Sequence, residues 1–208
     1  MAISTYSELK TAVANWLDRS DLTDIIPDFI VLAETRHKRD FKIRRMETRV
    51  TANTISETEY YTLPDDYIAM RNIKLNSDPK TALEYLTPEI MDRLNAGSST
   101  GKPKAYSIKG NNIQLRPLPD GVYEIEISYY KTFAALSDSN TTNDMLTHHP
   151  DAYLYGALVE AEPYLQNDKR LQLWAGLYNS TKDSIIESNE RDRHSGTAPV
   201  TRIDYGLY

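Results

Sequence analysis

Two of the four histidines stand side by side, His148 and His149, at the head of the stretch HHPDAYLYGALVEAEPYL (148–165). Imidazoles are the commonest transition-metal ligands, and a pair of them could hold a cation or move a proton. Adjacent residues on a helix or strand point apart, so two ligands for one ion come more naturally from positions four apart or from separate segments. The other histidines are His37 and His194, and there is no cysteine. The pair is therefore read as capping or solvating a helix that opens at Pro150 and Asp151, and neither a metal nor another cofactor is expected. Two carboxylate pairs could do acid–base work. Asp65 and Asp66 follow Pro64 in a turn, while Glu124 and Glu126 alternate on what reads as the wet face of a strand. Both read as solvated charge. The eight glycines are scattered, with no phosphate-cradling loop and no G-x-S-x-G elbow, so no catalytic residue is assigned.

Two other stretches read as contact surfaces. RHKRDFKIRR (36–45) gathers Arg36, Lys38, Arg39, Lys42, Arg44 and Arg45 at a helix end. Cations there stabilise the helix dipole, meet an acidic partner, or bind nucleic acid. Only Phe41 interleaves them, so no base-stacking platform is expected, and the net charge of -6 opposes DNA binding by the whole chain. HSGTAPVTRIDYGLY (194–208) is apolar at Val200, Ile203, Tyr205, Leu207 and Tyr208, and positions 203, 205 and 207 alternate as an added edge strand would require. The stretch is expected to dock on another chain. Fifteen tyrosines against three phenylalanines fit either contact surfaces or a thin amphipathic core.

The elements that must carry these residues follow from periodicity. TYSELKTAVANWL has one apolar stripe and a capping box at Thr5 and Glu8. A second helix, capped by Thr23 or Asp24 with Pro27 in its first turn, continues through Ile26, Phe29, Ile30, Ala33 and His37 and fades near Phe41. From Met46 the period becomes two. METRVTANT, YYTLP, YIAMRNIKLN and TALEYL read as strands, and a short helix follows from Pro88 towards Gly97. KAYSIKGNNIQLRPLPDGVYEIEISYYKTF reads as two successive hairpins, turning at GNN and PDG. ALSDSNTTNDMLTHH reads as a long polar loop. Helical stripes return at Leu154, Ala157, Leu158, Ala161 and Leu165, and again at Leu171, Trp174, Leu177, Tyr178, Thr181 and Ile185. Pro163 should kink or stop the first of these near Glu162. Tyr153, Tyr155 and Tyr164 are expected at that helix's margins.

The fold class is α+β: mainly a helical bundle built from the N- and C-terminal helices, with an inserted antiparallel β-barrel or sandwich and an extended C-terminal tail. The expected divisions are 1–45, 46–135, 136–190 and 191–208. At 208 residues, with 40% hydrophobic and 26% charged residues, the composition is that of a globular protein. The lack of cysteine suits a reducing cytoplasm. No secretory signal and no membrane span are expected.

The ordered set TYSELKTAVANWLDRSDLTDIIPDFIVLAETRHKRDFKIRRMETR, YYTLPDDYIAMRNIKL, LEYLTPE, GKPKAYSIKGNNIQLRPLPDGVYEIEISYYK, ALSD, TNDML and PDAYLYGALVEAEPYLQNDKRLQLWAGLY resembles the head-to-tail adaptor (connector) proteins of tailed bacteriophages, particularly short-tailed ones. The resemblance covers residues 5 to 178 and implies a virion structural protein without catalysis. Such proteins form a ring, generally dodecameric, beneath the portal. They carry the next tail or nozzle protein and surround DNA that passes without sequence-specific binding. The resemblance also implies that Val200 to Tyr208 insert into the portal assembly. The alternative reading is a DNA-binding packaging accessory protein that uses residues 36 to 45. In either case the chain is made in the bacterial host cytoplasm.

Overall fold

A computed structural model describes residues 3–94, 99–166 and 168–193. In chain order the elements are α1 (Tyr6–Leu17), α2 (Ile26–Asp40), β1 (Glu47–Asn53), β2 (Tyr60–Thr62), β3 (Tyr67–Leu75), β4 (Thr81–Ala82), β5 (Glu84–Tyr85), α3 (Pro88–Leu94), β6 (Ala105–Lys109), β7 (Asn112–Arg116), β8 (Glu124–Lys131), α4 (Asp144–His148), α5 (Pro150–Leu165) and α6 (Asp168–Arg193). A 3-10 turn at Arg44–Met46 leads into β1. The chain divides into two compact units, one of residues 46–132 and one of the residues up to 45 and from 133 on.

In the helical unit, α1 starts on the expected capping box. Thr5 Oγ1 accepts the Glu8 N–H at 3.3 Å, and a Glu8 carboxylate oxygen accepts the Thr5 N–H at 3.0 Å. α2 starts differently from expectation. Neither Thr23 nor Asp24 caps it; Ile25 holds the cap position without a side-chain bond, and the Thr23 hydroxyl donates to the Ser20 carbonyl instead. Pro27 in the first turn removes one N–H that would otherwise need a cap.

At the centre lies α5, which packs against α1, α2, α4 and α6. It is buried on most sides, from Ala152 to Glu162, so its single apolar stripe broadens into a nearly encircling one. Tyr153 is 1% exposed, which places it in the core and corrects its expected marginal position. Gly156 lets α2 approach: a Cβ there would lie 3.2 Å from Ala33 Cβ and 3.3 Å from His37 Nε2. Pro163 does not stop α5, which runs on to Leu165 and ends on Gln166 in the left-handed region (φ 54). In the last turn a proline removes only one intrahelical bond, and the Gln166 N–H closes the end on the Glu162 carbonyl. Glu162 is buried, and its carboxylate accepts the Trp174 indole N–H at 2.8 Å with Arg170 Nε at 3.3 Å, fastening α6 to α5. The stretch read as a polar loop contains α4, capped by Asn143, with Met145 and Leu146 fully buried.

In the β unit, two four-stranded sheets run in the orders β1-β8-β3-β4 and β2-β7-β6-β5. All pairs are antiparallel except β5 with β6. Each sheet keeps two edges, so among the described residues no barrel closes, which corrects that half of the expectation. One apolar cluster draws on both sheets, with Ile73, Leu75, Ile125, Ile127 and Tyr129 from the first and Tyr106, Ile113 and Leu115 from the second. Burying each such aliphatic side chain stabilises the fold by ~1.5–3 kcal/mol. The hairpin at Gly110–Asn111 forms as expected, joining β6 to β7. The second does not: β7 pairs with β6 and β2, while β8 pairs with β1 and β3, so the PDG segment carries the chain from one sheet to the other. TALEYL likewise splits into β4 and β5, one in each sheet.

β8 is central in its sheet, and Glu126 is only 5% exposed rather than wet. Lys74 on β3 and Arg49 on β1 flank it at 2.7 and 3.6 Å, and the Lys74 hydrogen bond, the largest influence, holds its carboxyl below the usual range. No described helix is long and apolar enough to cross a membrane.

Candidate functional site

The helical unit brings together two stretches singled out in the sequence. Arg44 and Arg45 from the end of the basic run line a cleft with His148 and His149, closed on its other side by Asn189 and Asp192 of α6. The Arg44 N–H donates to Asn189 Oδ1 at 2.7 Å, tying this wall to α6. Arg45 and His148 converge on Asp144, at 3.5 and 3.4 Å. His148 Nδ1 also lies 2.9 Å from the Asp144 carbonyl, so this histidine belongs to the end of α4. His149 both ends α4 and begins α5, without a side-chain cap bond. Burial, chiefly, and the nearby Arg45 and His148 push its pKa down despite Asp151. The cleft thus sets Arg44 and Arg45 among two carboxylates, Asp144 and Asp192, with His149 biased towards its neutral form. Among the described residues no group of three or more histidines, cysteines or acids could hold a metal ion.

The rest of the basic run divides by direction. Arg36 turns inward: its Nε donates to Glu160 of α5 at 2.8 Å, and its guanidinium lies 5.6 Å from the Tyr178 ring centre. Lys38, Arg39 and Lys42 are exposed, and among the described residues no carboxylate lies within ion-pair distance of them. The expected docking residues Val200, Ile203, Tyr205, Leu207 and Tyr208 lie outside the described residues, as does His194.

Beneath this surface runs a buried polar chain that periodicity does not reveal. Glu34 on α2 accepts the Leu136 N–H at 2.8 Å and the Tyr153 hydroxyl at 3.1 Å. Asn143 donates to that tyrosine oxygen at 2.7 Å and to the Ala134 carbonyl at 2.8 Å, while its own oxygen caps α4. Burial, first of all, raises the Glu34 carboxyl above its ordinary range and the Tyr153 phenol above its own. His37 sits beside it, 3% exposed between Tyr153, Phe41 and Tyr178, with burial pushing it down to about 4. This histidine is a neutral core residue. Tyr178 donates to Asp40 at 3.0 Å, so its hydroxyl serves the α2–α6 contact.

Other large apolar side chains face solvent. Val31 and Leu32 on α2 are 52% and 48% exposed, and Leu173 on α6 is 54% exposed. In the β unit, Ile55 and Val122 do the same in loops. The signal for Val31 and Leu32 was present in the sequence, since they fall off the stripe set by Ile26, Phe29, Ile30, Ala33 and His37. Large exposed apolar groups beside charge mark contact surfaces rather than reaction centres.

With this geometry in place, comparison with known proteins gives one assignment. The family described as SU10 adaptor protein matches residues 4–202, so the match runs through both units. No curated protein matches the chain.

Proposed function

The chain belongs to the SU10 adaptor protein family, a family of phage adaptors, and on that premise we propose that it joins head to tail in the virion, bound to the portal protein. The observation that carries this reading is the length of the family match, residues 4–202. As such an adaptor it assembles with copies of itself into a ring, dodecameric as the resemblance implies, continues the DNA channel, and carries a tail or nozzle protein. It works by contact and not by catalysis. DNA passes through without sequence-specific binding, in keeping with the net charge of -6. The protein is made in the host cytoplasm and ends in the virion.

Two surfaces take named roles. Val200, Ile203, Tyr205, Leu207 and Tyr208 dock on the portal, their alternation suited to strand addition. Lys38, Arg39, Lys42, Arg44 and Arg45 are partner contacts, with Arg36 holding α2 against α5 behind them.

Light scattering of the purified chain, alone and mixed with the portal protein encoded in the same genome, tests the reading. One large species with one adaptor per portal subunit is expected, and deleting residues 196–208 should abolish it while leaving the helical circular dichroism unchanged. If the chain ignores the portal and instead binds duplex DNA with steep salt dependence, the packaging-accessory reading takes its place.

A further inference from the structure

The outer faces of α2 and α6 carry opposite charge on matching spacing. On α2 the exposed residues are Val31, Leu32, Thr35, Lys38, Arg39 and, just past its end, Lys42, with Asp28 at the N-terminal margin. On α6 they include Leu173, Gly176, Ser180, Asp183, Glu187 and Glu190, with Arg191 held by Glu187 at 3.5 Å. Aligning Val31 with Gly176 places Thr35 against Ser180 and Lys38 against Asp183, because each pair lies the same number of residues further on along its helix; Lys42 follows just past the end of α2. Leu32 then falls beside Leu173 and Gly176. A Cβ on Gly176 would meet nothing within 4 Å, so a neighbouring backbone can come close there. Val31 and Leu32 meet the Leu173–Gly176 stretch with Asp28 at its margin, and Lys38 meets Asp183 further along.

Direction agrees as well. Within one copy α2 and α6 run the same way, since both run against α5: Phe29 meets Tyr164 and His37 meets Ala152, while Trp174 meets Glu162 and Tyr178 borders Gly156. Because Asp40 is level with Tyr178 within one copy, the pairing of Lys38 with Asp183 also shifts α6 by about 10 Å along its length, so the rotation axis that lays α6 of one copy beside α2 of the next is inclined to the helices. Such a contact uses two different faces, and it closes into a ring where the rotation divides a full turn. Pairing either face with itself would set groups of the same net sign together.

We propose that the exposed face of α2, bearing Val31, Leu32 and Lys38 with Lys42 just past its end, docks in parallel on the α6 face bearing Leu173, Gly176, Asp183 and Glu187 of a second copy of this chain. The proposal rests on the ring-forming adaptor reading and supplies its repeating contact.

The absence of native cysteine makes a clean test possible. Thr35→Cys and Ser180→Cys are introduced into the full chain, singly and together, and oxidised with and without the portal protein. The double variant should give a ladder of covalent multimers. Each single variant alone should stay monomeric on a non-reducing gel, and a mixture of the two singles should stop at dimers. Adding Lys38→Glu to the double variant should suppress the ladder, and adding Asp183→Lys to that chain should bring it back. Dimers from Thr35→Cys alone would indicate a two-fold α2 contact and overturn the proposal. So would a ladder indifferent to the charge reversals, or no ladder in either setting. Portal association of the wild-type chain, scored in parallel, separates the outcomes: binding without a ladder removes this surface and keeps the adaptor role. A ladder without portal binding keeps the surface and removes that role.

Discussion

Glu34 is a carboxyl group placed where charge is disfavoured. It is 8% exposed, and its partners are a backbone N–H and a phenol, with no cation at ion-pair distance among the described residues. Burial raises its pKa from the ordinary value of 4.5, so the folded chain holds this proton more tightly than the unfolded chain does. Its contribution to stability is therefore most favourable at low pH and is lost as pH rises from about 4.5 through the folded value. Glu34→Gln keeps an acceptor for Leu136 and Tyr153 and removes the titration. Thermal melts should show the variant's Tm gaining on the wild type between pH 4 and pH 7; a constant or shrinking difference would sink this account. Glu34→Ala leaves two buried donors short of an acceptor and should cost about 2 kcal/mol. Glu126, also little exposed but lying shallower and beside Lys74 and Arg49, has its pKa moved the other way, first of all by the Lys74 hydrogen bond.

At the scale of elements, α5 sets how closely the helices pack, and Gly156 is its narrowest point. The space over Gly156 is bounded by Ala33, His37 and, at 3.5 Å, Tyr178. Ala33 sits on the α2 backbone and His37 is wedged among three rings, so neither can retreat far. Gly156→Val should therefore lower stability by ~2–3 kcal/mol by overpacking, as read by urea unfolding. A neutral or stabilising result would mean that α2 can shift. The helices α1, α2 and α5 were legible because an apolar stripe persists over three or more turns. α4 was not: its five residues are too few for a period to show, and its burial comes from Met145 and Leu146 alone. The strands were legible too, but not the switch between sheets after Arg116. Alternation is local, and a strand reads the same whether the next one pairs with it or crosses to another sheet. Glu126 was misplaced for the same reason, since alternation assigns a face but not what covers it. The notch of Arg44, Arg45, His148 and His149 joins residues about a hundred positions apart, which only tertiary packing can do.

For the whole molecule, the path of the chain through the β unit explains how a strand-rich segment can interrupt a helical one. β1 opens the unit and β8 closes it, and the two are antiparallel neighbours with Glu47 opposite Tyr130. Directly opposite residues in such a pair have Cα atoms ~4.5–5.5 Å apart, so the chain leaves the unit almost where it entered. Each unit also has its own buried apolar residues. Those of the β unit come from both of its sheets, and those of the helical unit lie around α5. A segment with adjacent ends and a separate core imposes little loop-closure cost on what flanks it. Replacing residues 46–132 with a short Gly-Ser linker should then leave a chain that keeps its helical circular dichroism and melts in one cooperative transition. The excised 46–132 segment should fold alone, with a β spectrum and dispersed amide resonances. A shortened chain that loses its helicity would show that α5 depends on the β unit for its packing. In that case the cleft at Arg44 and Arg45 and the outer faces of α2 and α6 would have to be treated as properties of the intact chain.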